Sequence, residues 1–300
     1  SIVCGKKIGP DPRNFNQRVS LGRNDLLIRT FPNGNVANGV SPTIINAEML
    51  NTFQRELVNL VEGLGYTLNP DDDSQILKAI NGVISGRLLG VPRVITSSGM
   101  FTKSSGAKKW RIRVLGAGAG SSAAPATGNG EVSISNGGGA GAYAEGIYDV
   151  SELTSAMVTI GTGGAGGTAA SPYGGDGGAT SVGALISAPG GKSGLPAGPA
   201  NPPFQPVANT NSNSPSGWNI VGTSGAGSEP AVAVSTSYAV GSRGANSPLG
   251  VGGTVPAIST PANTGGGYGS GASGCSNGPS QPVKAGAAGR DGIVIIEEYS

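Results

Sequence analysis

The stretch that decides the fold is GTGGAGGTAASPYGGDGGA, residues 161–179, in which glycines recur in short clusters. Such a stretch carries almost no side chains, so it has little with which to build a hydrophobic core. The same texture begins at GAGAG (116–120) and returns at GGGAG (137–141) and GSGASG (269–274). The chain then closes on an apolar strand, GIVIIEEYS (292–300). A fold for this chain must therefore explain how glycine clusters hold its second half together.

Glycine is enriched and charge is depleted across the 300 residues. The chain contains 55 Gly and 21 Pro, and only 12% of its residues are charged; average glycine usage is about 7%. Disordered chains are normally rich in charge, so this composition favours a special fold over general disorder. The net charge of +2 indicates no general attraction to nucleic acid or anionic lipid. No apolar run reaches the roughly 18 residues that a membrane span needs.

Few residues are suited to catalysis, metal binding or cross-linking. The chain has no His, which removes the commonest general base and every Ser-His-Asp or Cys-His arrangement. Its two cysteines, Cys4 and Cys275, suggest neither a disulfide framework nor a zinc site. We therefore predict that the protein is not an enzyme, and we expect no catalytic residue, metal or cofactor. The first residues lack the apolar core of a secretory signal, which predicts synthesis in a cytoplasm.

Residues 41–90 are predicted to form two amphipathic helices. Their apolar residues recur at spacings of three and four, which places them along one stripe of each helix. The turn YTLNPDDD (66–73) separates the helices, and Asp73 is positioned to cap the second one. Two short helices cannot enclose a large core, so they could pack as a hairpin or against copies of themselves about a symmetry axis. We predict oligomerisation through Met49, Phe53, Leu57, Leu60, Ile76, Ile80, Val83 and Ile84.

Residues 91–115 change to a period of two, which predicts strands separated by SSG turns. In KKWRIRVL (108–115), one face of the strand should carry the apolar side chains and the other face the basic ones. These are Trp110, Ile112 and Val114 on one face, and Arg111 and Arg113 on the other. We predict that the basic face is solvated. Contact with a phosphate or a lipopolysaccharide is the alternative.

From residue 116 onward the glycine clusters could be a fold in themselves. A left-handed extended helix with three residues per turn has no internal hydrogen bonds, so its N–H and C=O groups point outward. Several such helices could satisfy one another's backbone groups, provided that no side chain separates them. We therefore predict a lattice of packed polyglycine II-like helices with loops at its ends. The alternative is a mobile linker; the apolar strands that bracket the region favour the lattice, because they can pair if the intervening chain folds compactly.

Four segments, taken in order, resemble a known family. They are VSPTIINAEMLNTFQRELVNLVEGLGYTLNPDDDSQILKAI (40–80), SSGMFTKSSGAKKWRIRVLGAGAG (97–120), GGDGGATSVGALISAPGG (174–191) and DGIVIIEEYS (291–300). Together they resemble the tail fibres and tail-tip adhesins of tailed bacteriophages that carry a glycine-rich distal domain. A long insert at 193–264 departs from the simplest form of that family.

The resemblance implies a multi-domain, fibrous subunit, usually a homotrimer. Residues 1–40 would attach to the tail or baseplate, 41–90 would be the helical oligomerisation segment, 91–115 a β linker or the start of the distal domain, and 116–300 the glycine-rich receptor-binding tip. The tip would bind a glycan or an outer-membrane or pilus protein on the host cell. The resemblance further implies a place in the virion, with no nucleic-acid binding and no membrane insertion.

Aromatic residues in the loops of the glycine-rich region are the candidate contact residues. Rings supply contact area at low entropic cost and suit sugar faces or protein patches. The alternative for each ring is a small local core beneath its loop. The candidates are Phe204, Trp218, Tyr238, Tyr173 and Tyr268.

Two functions from other classes compete with adhesion. A purely structural fibre or baseplate component would bind nothing on the host. A glycine-lattice ice-binding protein would order water on its flat faces, although the amphipathic helices argue against that function.

Overall fold

The computed structural model describes residues 18–20, 27–29, 36–39, 47–83, 86–209 and 214–300. The chain divides into two compact units, Ser1–Val83 and Ile84–Ser300. Most of the predicted attachment region 1–40, including Cys4, lies outside the described residues. What is described there is an antiparallel pair, β1 (Arg18–Ser20) and β2 (Leu27–Arg29), and a 3-10 turn (Val36–Asn38).

The first unit contains the two predicted helices, α1 (Ala47–Gly63) and α2 (Gln75–Val83). The prediction that Asp73 caps α2 is wrong, because the neighbouring Asp72 carboxylate accepts the hydrogen bond at the start of this helix. Asp72 accepts a hydrogen bond from the Ser74 N–H (3.0 Å) and pairs with Lys78 (2.6 Å). The hydrogen bonds from Lys78 and Ser74 lower the pKa of Asp72 to about 2. Neither helix of the described part is long and apolar enough to span a membrane.

Most of the apolar stripe of the two helices is exposed. Within the unit, the helices bury Val61 and Ala79. Of the residues predicted to mediate oligomerisation, Met49 and Ile76 are half-buried and Ile84 lies outside the described residues. The others are exposed: Phe53, Leu57, Leu60, Ile80 and Val83. Leu50 and Leu77 extend the same exposed surface.

The second unit consists of short antiparallel strands joined by long glycine-rich segments. The strands are β3 (Arg93–Ile95), β4 (Gly99–Thr102), β5 (Lys109–Leu115), β6 (Val132–Ser135), β7 (Tyr143–Asp149), β8 (Ser155–Thr159), β9 (Thr180–Val182), β10 (Ile186–Ala188), β11 (Pro196–Ala200), β12 (Val221–Thr223), β13 (Val232–Ser235), β14 (Tyr238–Val240), β15 (Gly250–Val251), β16 (Gly266–Gly267), β17 (Ser276–Asn277) and β18 (Ile293–Tyr299).

Two of the sheets pack face to face around a hydrophobic core. One sheet has the strand order β12-β7-β5-β18-β3, and the other has the order β10-β9-β8-β4. The core between them includes Phe101, Trp110, Ile112, Val158 and Ile296, all of which are buried. Residues 91–115, predicted as a linker or as the start of the distal domain, supply β3, β4 and β5 of this sandwich. The chain therefore has an apolar core next to its glycine clusters.

The two faces of β5 divide as its alternating pattern predicts. Trp110, Ile112 and Val114 are fully buried in the sandwich. The opposite face differs from the solvated surface that was predicted, because its arginines are only partly exposed and are paired with carboxylates. Arg111 pairs with Glu145, and Arg113 pairs with Glu297, each at 2.5 Å. The neighbouring strands β7 and β18 supply these two carboxylates, which the pattern of β5 alone does not contain.

Beyond β5, residues 116–124 run through the centre of the glycine-rich region, and all of them are buried. Every third residue of this central segment donates its N–H to the same neighbour. Ala117, Gly120 and Ala123 donate to residues 172–178, and Gly118, Ser121 and Ala124 donate to residues 284–290, at 2.8–3.0 Å. Ala119 donates its N–H to the Gly139 carbonyl. The carbonyl groups of the central segment accept in turn from three further segments, through the N–H groups of Gly164, Gly191 and Ala272. Neighbouring segments on several sides thus satisfy the backbone hydrogen-bonding groups of the central segment.

Glycine is required where these segments touch. A Cβ at Gly118 would collide with the carbonyl group of Ser270, and a Cβ at Gly138 would collide with the carbonyl group of Ala119. Neither backbone can withdraw without losing hydrogen bonds to its other neighbours. The absence of side chains is therefore the condition for this packing.

A second, smaller core lies at the end of the glycine-rich region farthest from the sandwich. A three-stranded sheet in the order β11-β6-β17 packs there beside the β13–β14 hairpin. Val132, Ile134 and Ala233 are buried between them, and Phe204 packs against the cluster. This core fixes the strands from which the outermost loops emerge.

Candidate functional site

Six loops lie together at the end of the second unit that is opposite to the sandwich. The loops 125–131, 168–173 and 278–283 are placed by the hydrogen-bond register of the central segment, whose residues move away from β5 as their numbers rise. Ala123 bonds to Pro172, Ala124 to Lys284, and Thr127 to Gln281, so the loops next to these partners are outermost. The other three adjoin the small core: 201–209 pairs with β13 through Phe204, 235–238 joins β13 to β14, and Ser259 of 255–262 donates to Ser276 of β17. We call this group the far-end loops and define it as residues 125–131, 168–173, 201–209, 235–238, 255–262 and 278–283.

The far-end loops present apolar side chains and very little charge. Glu131 is the one charged residue that their sequences contain, and its carboxylate accepts the Gly128 N–H at 2.7 Å. Tyr173, Val207 and Tyr238 are 63%, 73% and 60% exposed. Scattered apolar residues are normal on a surface, but a group concentrated on adjacent loops is typical of a contact surface.

Three of the five predicted contact residues lie on these loops. Tyr173 and Tyr238 are exposed there. Phe204 is half-buried, because its ring packs on the small core and its backbone pairs with Ala233. The structural role that was the alternative for each ring therefore describes Phe204, whereas Tyr173 and Tyr238 are available for contact.

The other two predicted residues lie near the sandwich. Trp218 is beside β7, because the side-chain amide of the adjacent Asn219 accepts the Ile147 N–H at 2.8 Å. Tyr268 lies next to the start of the central segment: its N–H donates to Leu249, and the following Gly269 accepts from Gly141. The five aromatic residues therefore do not form a single site.

Sequence reasoning missed the aliphatic part of the far-end surface. Val207, Val255 and Ile258 are exposed on its loops, and Val234 is exposed on the adjoining strand β13. The signal that could have identified them is the combination of proline-rich, uncharged segments with single aliphatic residues, as in QPVAN (205–209) and VPAIS (255–259).

Buried polar groups elsewhere in the second unit have structural partners. Glu298 accepts hydrogen bonds from the Trp110 Nε1–H and the Ser104 N–H, both at 2.9 Å, and from the Ser104 hydroxyl. Burial raises the pKa of the Cys275 thiol, which Ser135 and backbone carbonyl groups surround. Among the residues whose positions are described, no group of three or more carboxylate or thiol side chains is arranged to hold a metal ion.

Comparison with known proteins identifies the glycine-rich part of the chain. A family model described as a glycine-rich domain matches residues 96–299, from just after β3 to the end of β18. No curated protein matches the chain.

Proposed function

We propose that this chain, which belongs to the glycine-rich domain family, is a tail-fibre subunit or tail-tip adhesin of a tailed bacteriophage, as the resemblance of its four segments to such proteins implies. In this proposal the far-end loops bind a receptor on the host surface, either a glycan or an outer-membrane or pilus protein. The observation that carries the proposal is the concentration of exposed loops, with a single charged residue among them, at one end of a network of backbone hydrogen bonds. A rigid scaffold that leaves recognition to its loops is a common arrangement in binding proteins.

The point at which the chain enters the second unit supports this orientation. Gly86 donates to the Ser300 carbonyl (2.6 Å), and Leu89 donates to the Glu298 carbonyl (2.7 Å). The entering segment therefore runs beside the end of β18, at the edge of the sandwich that faces away from the lattice. A unit attached through this edge would project its far-end loops outward.

The lattice itself is proposed to be of the polyglycine II type. The period of three in the hydrogen bonds of the central segment supports this, because a β-strand would return to the same neighbour at every second residue. The close approach required at Gly118 also supports it. Amide hydrogen exchange is the measurement: we expect slow exchange at Gly118, Gly120 and Ser121, and fast exchange there would contradict the lattice.

The helical segment is proposed to assemble the subunit into a homotrimer. Its exposed apolar stripe, which includes Phe53 and Leu57, supports association about a symmetry axis. Sedimentation equilibrium of the full chain should give three times the mass of one chain. The double variant Phe53→Ser/Leu57→Ser should sediment as a monomer, whereas Asn59→Ser, an exposed position of α1 outside the predicted stripe, should remain a trimer.

Adhesion is tested by binding of the fluorescently labelled full chain to a panel of bacterial strains. We expect saturable binding to at least one strain, and inhibition of phage adsorption to that strain. The double variant Tyr173→Ala/Tyr238→Ala should bind about tenfold more weakly, as expected for aromatic hot spots. The control Tyr268→Ala should bind normally, because this ring lies near the sandwich.

Two outcomes would replace adhesion by another function. A folded trimer that neither binds any strain nor inhibits adsorption would indicate a purely structural fibre or baseplate component. Thermal hysteresis of its solutions would indicate an ice-binding protein. Attachment to the tail through the N-terminal region, and hence a place in the virion, is tested by co-purification of the full chain with isolated phage tails.

A further inference from the structure

We propose that Trp218 is the platform of a saccharide-binding site on the side of the sandwich, which takes an uncharged sugar ring and is separate from the far-end loops. The inference deepens the proposed function and rests on it for the biological role of the sugar.

The indole ring of Trp218 lies flat on the backbone of β12. A Cβ at residue 222 would collide about equally with the ring atoms Cδ1, Nε1 and Cε2, so the face of the five-membered ring covers Gly222. Trp218 is nevertheless 47% exposed, which corresponds to one open face of the ring. A large ring held in one orientation offers flat apolar area and loses little entropy when a ligand covers it.

The segment that carries Trp218 is anchored to β7 on both sides of the ring. Before the tryptophan, the Tyr148 hydroxyl donates to the Gly217 carbonyl at 2.8 Å. After it, the Asn219 side chain accepts the Ile147 N–H (2.8 Å) and donates to the Ile147 carbonyl (2.7 Å), as a paired strand would. The platform is therefore in place before a ligand arrives, so binding does not have to order it.

The surroundings of the platform favour a neutral sugar over an anionic one. Residues 193–228 contain no Asp, Glu, Lys or Arg. The segment does carry exposed hydroxyl groups, and those of Ser214 and Ser224 lie 3.4 Å apart. The flat C–H face of a pyranose is apolar and its rim carries hydroxyl groups, so such a ring matches an exposed indole face on a segment that carries hydroxyl groups and no charge. A phosphate or a carboxylate would find no cation in this segment.

The two tryptophans of the chain make a direct test possible. Trp110 is fully buried and Trp218 is half exposed, so acrylamide quenching of the full chain's fluorescence reports chiefly on Trp218. Maltotriose, lactose and chitotriose serve as neutral probes, and a heparin-derived disaccharide serves as the anionic one. We expect at least one neutral probe to protect the fluorescence from quenching saturably, and the anionic probe to give no protection.

Variants assign that binding to the ring. Saccharide affinity, measured by calorimetry, should fall at least about tenfold in Trp218→Ala, an easily resolved change. Gly222→Ala should have a similar effect, because it displaces the indole and keeps it in the chain, so the test stands even if Trp218→Ala does not fold. Val91→Ala, at an exposed position beside β3 and so next to the opposite edge of the sheet from β12, should bind as the unchanged chain does. Unchanged affinity in both Trp218→Ala and Gly222→Ala, or protection by none of the neutral probes, would overturn the proposal.

Cell binding measured on the same proteins separates this inference from the proposed function. Binding to bacteria without any neutral-saccharide binding would leave the adhesin and overturn the platform. Saccharide binding that depends on Trp218, without binding to any bacterial strain, would leave the platform and overturn the adhesin.

Discussion

Gly118 shows most clearly why the close backbone contacts of the glycine-rich region require glycine. It lies on the buried central segment, its N–H donates to Arg290 at 2.8 Å, and its carbonyl accepts from Gly164 at 3.0 Å. The position of its absent Cβ is occupied by the backbone at Ser270 and Gly271. Three neighbouring segments therefore constrain a residue that has no side chain.

We expect Gly118→Ala to destabilise the second unit by about 3 kcal/mol or more. The added methyl meets backbone rather than a side chain that could turn aside, and overpacking of this kind costs about 1–3 kcal/mol even where side chains can relax. Urea unfolding of the variant measures the loss. The matched control is Gly266→Ala, because nothing lies within 4 Å of the Cβ at that position. Equal stability of the two variants would contradict close backbone contact at Gly118.

The ion pairs on the outer face of β5 predict a dependence of stability on pH. Burial alone would raise the pKa of Glu145, but hydrogen bonds from Arg111 and Tyr143 outweigh burial, and the pKa is lowered. A depressed pKa in the folded state means that the carboxylate stabilises the fold fully above its unfolded pKa. This stabilisation is lost as the pH falls through the lower, folded pKa.

We therefore expect Glu145→Gln to lower the free energy of unfolding near neutral pH by about 1–3 kcal/mol, since it leaves Arg111 without its nearest carboxylate. The difference between variant and unchanged chain should shrink as the pH is lowered from neutrality through the lowered pKa of Glu145, because the carboxylate then becomes protonated. Thermal unfolding across this range measures it. Glu152→Gln, at an exposed position, is the control and should follow the unchanged chain throughout.

At the scale of elements, β18 pairs the last residues of the second unit with strands from its beginning. It pairs with β5 over residues 293–299 and with β3 on its other side. Its Val294 and Ile296 are buried in the core, and Glu298 holds the Ser104 turn. Both sheet partners precede the glycine-rich region in the sequence, so this last strand closes the sandwich.

A chain that ends at Gly292 should therefore fail to fold its second unit. The loss removes the strand that lies between β5 and β3, so it exposes the core and leaves one edge of β5 and the paired edge of β3 without a partner strand. Near-ultraviolet circular dichroism should show loss of the Trp110 signal, while the far-ultraviolet signal of α1 and α2 remains. A native-like Trp110 signal in the shortened chain would show that β18 is dispensable.

How far the elements could be predicted depended on whether their pattern was local. The helices α1 and α2 and the strand β5 were predicted correctly because their patterns lie within their own sequences. The apolar residues of the helices recur at spacings of three and four, and those of KKWRIRVL alternate with basic ones. The Asp73 cap was wrong because neighbouring carboxylates in DDDS differ only in geometry, and Asp72 is the one that reaches Ser74. The sandwich could not be derived from β5, because its partners come from residues 143–149 and 293–299.

The candidate site was predicted in part for the same reason. Tyr173 and Tyr238 were selected as rings in loops. Tyr173 lies in a far-end loop, and Tyr238 is the first residue of β14, next to the turn that joins this strand to β13. Trp218 was selected by the same rule but lies beside β7. The long segment 193–228 passes through the far-end loops first and then runs back to the sandwich. That return depends on hydrogen bonds between Asn219 and Ile147, a long-range pairing without a local sequence signal.

At the scale of the whole molecule, the second unit contains everything that its own fold requires. Its two hydrophobic cores and the hydrogen bonds of its lattice are formed by residues that follow Val83. The first unit has a different composition and leaves its apolar stripe exposed. In the proposed function, assembly would therefore reside in the first unit and recognition in the second, and several receptor-binding units on one axis would bind a cell surface multivalently.

We accordingly expect residues 84–300, expressed alone, to fold as a monomer with the stability that the same unit has in the full chain. Its melting temperature should agree with that transition of the full chain within about 2 °C, which corresponds to a fraction of a kcal/mol for a domain of this size. Calorimetry measures the transition and sedimentation measures the mass. Binding to a susceptible strain should weaken by about 10²-fold or more relative to the trimer, because avidity is lost while each site remains intact. Equal binding by the monomer and the full chain would show that the sites act singly, and a trimeric fragment would move the assembly contact from α1 and α2 into the glycine-rich unit.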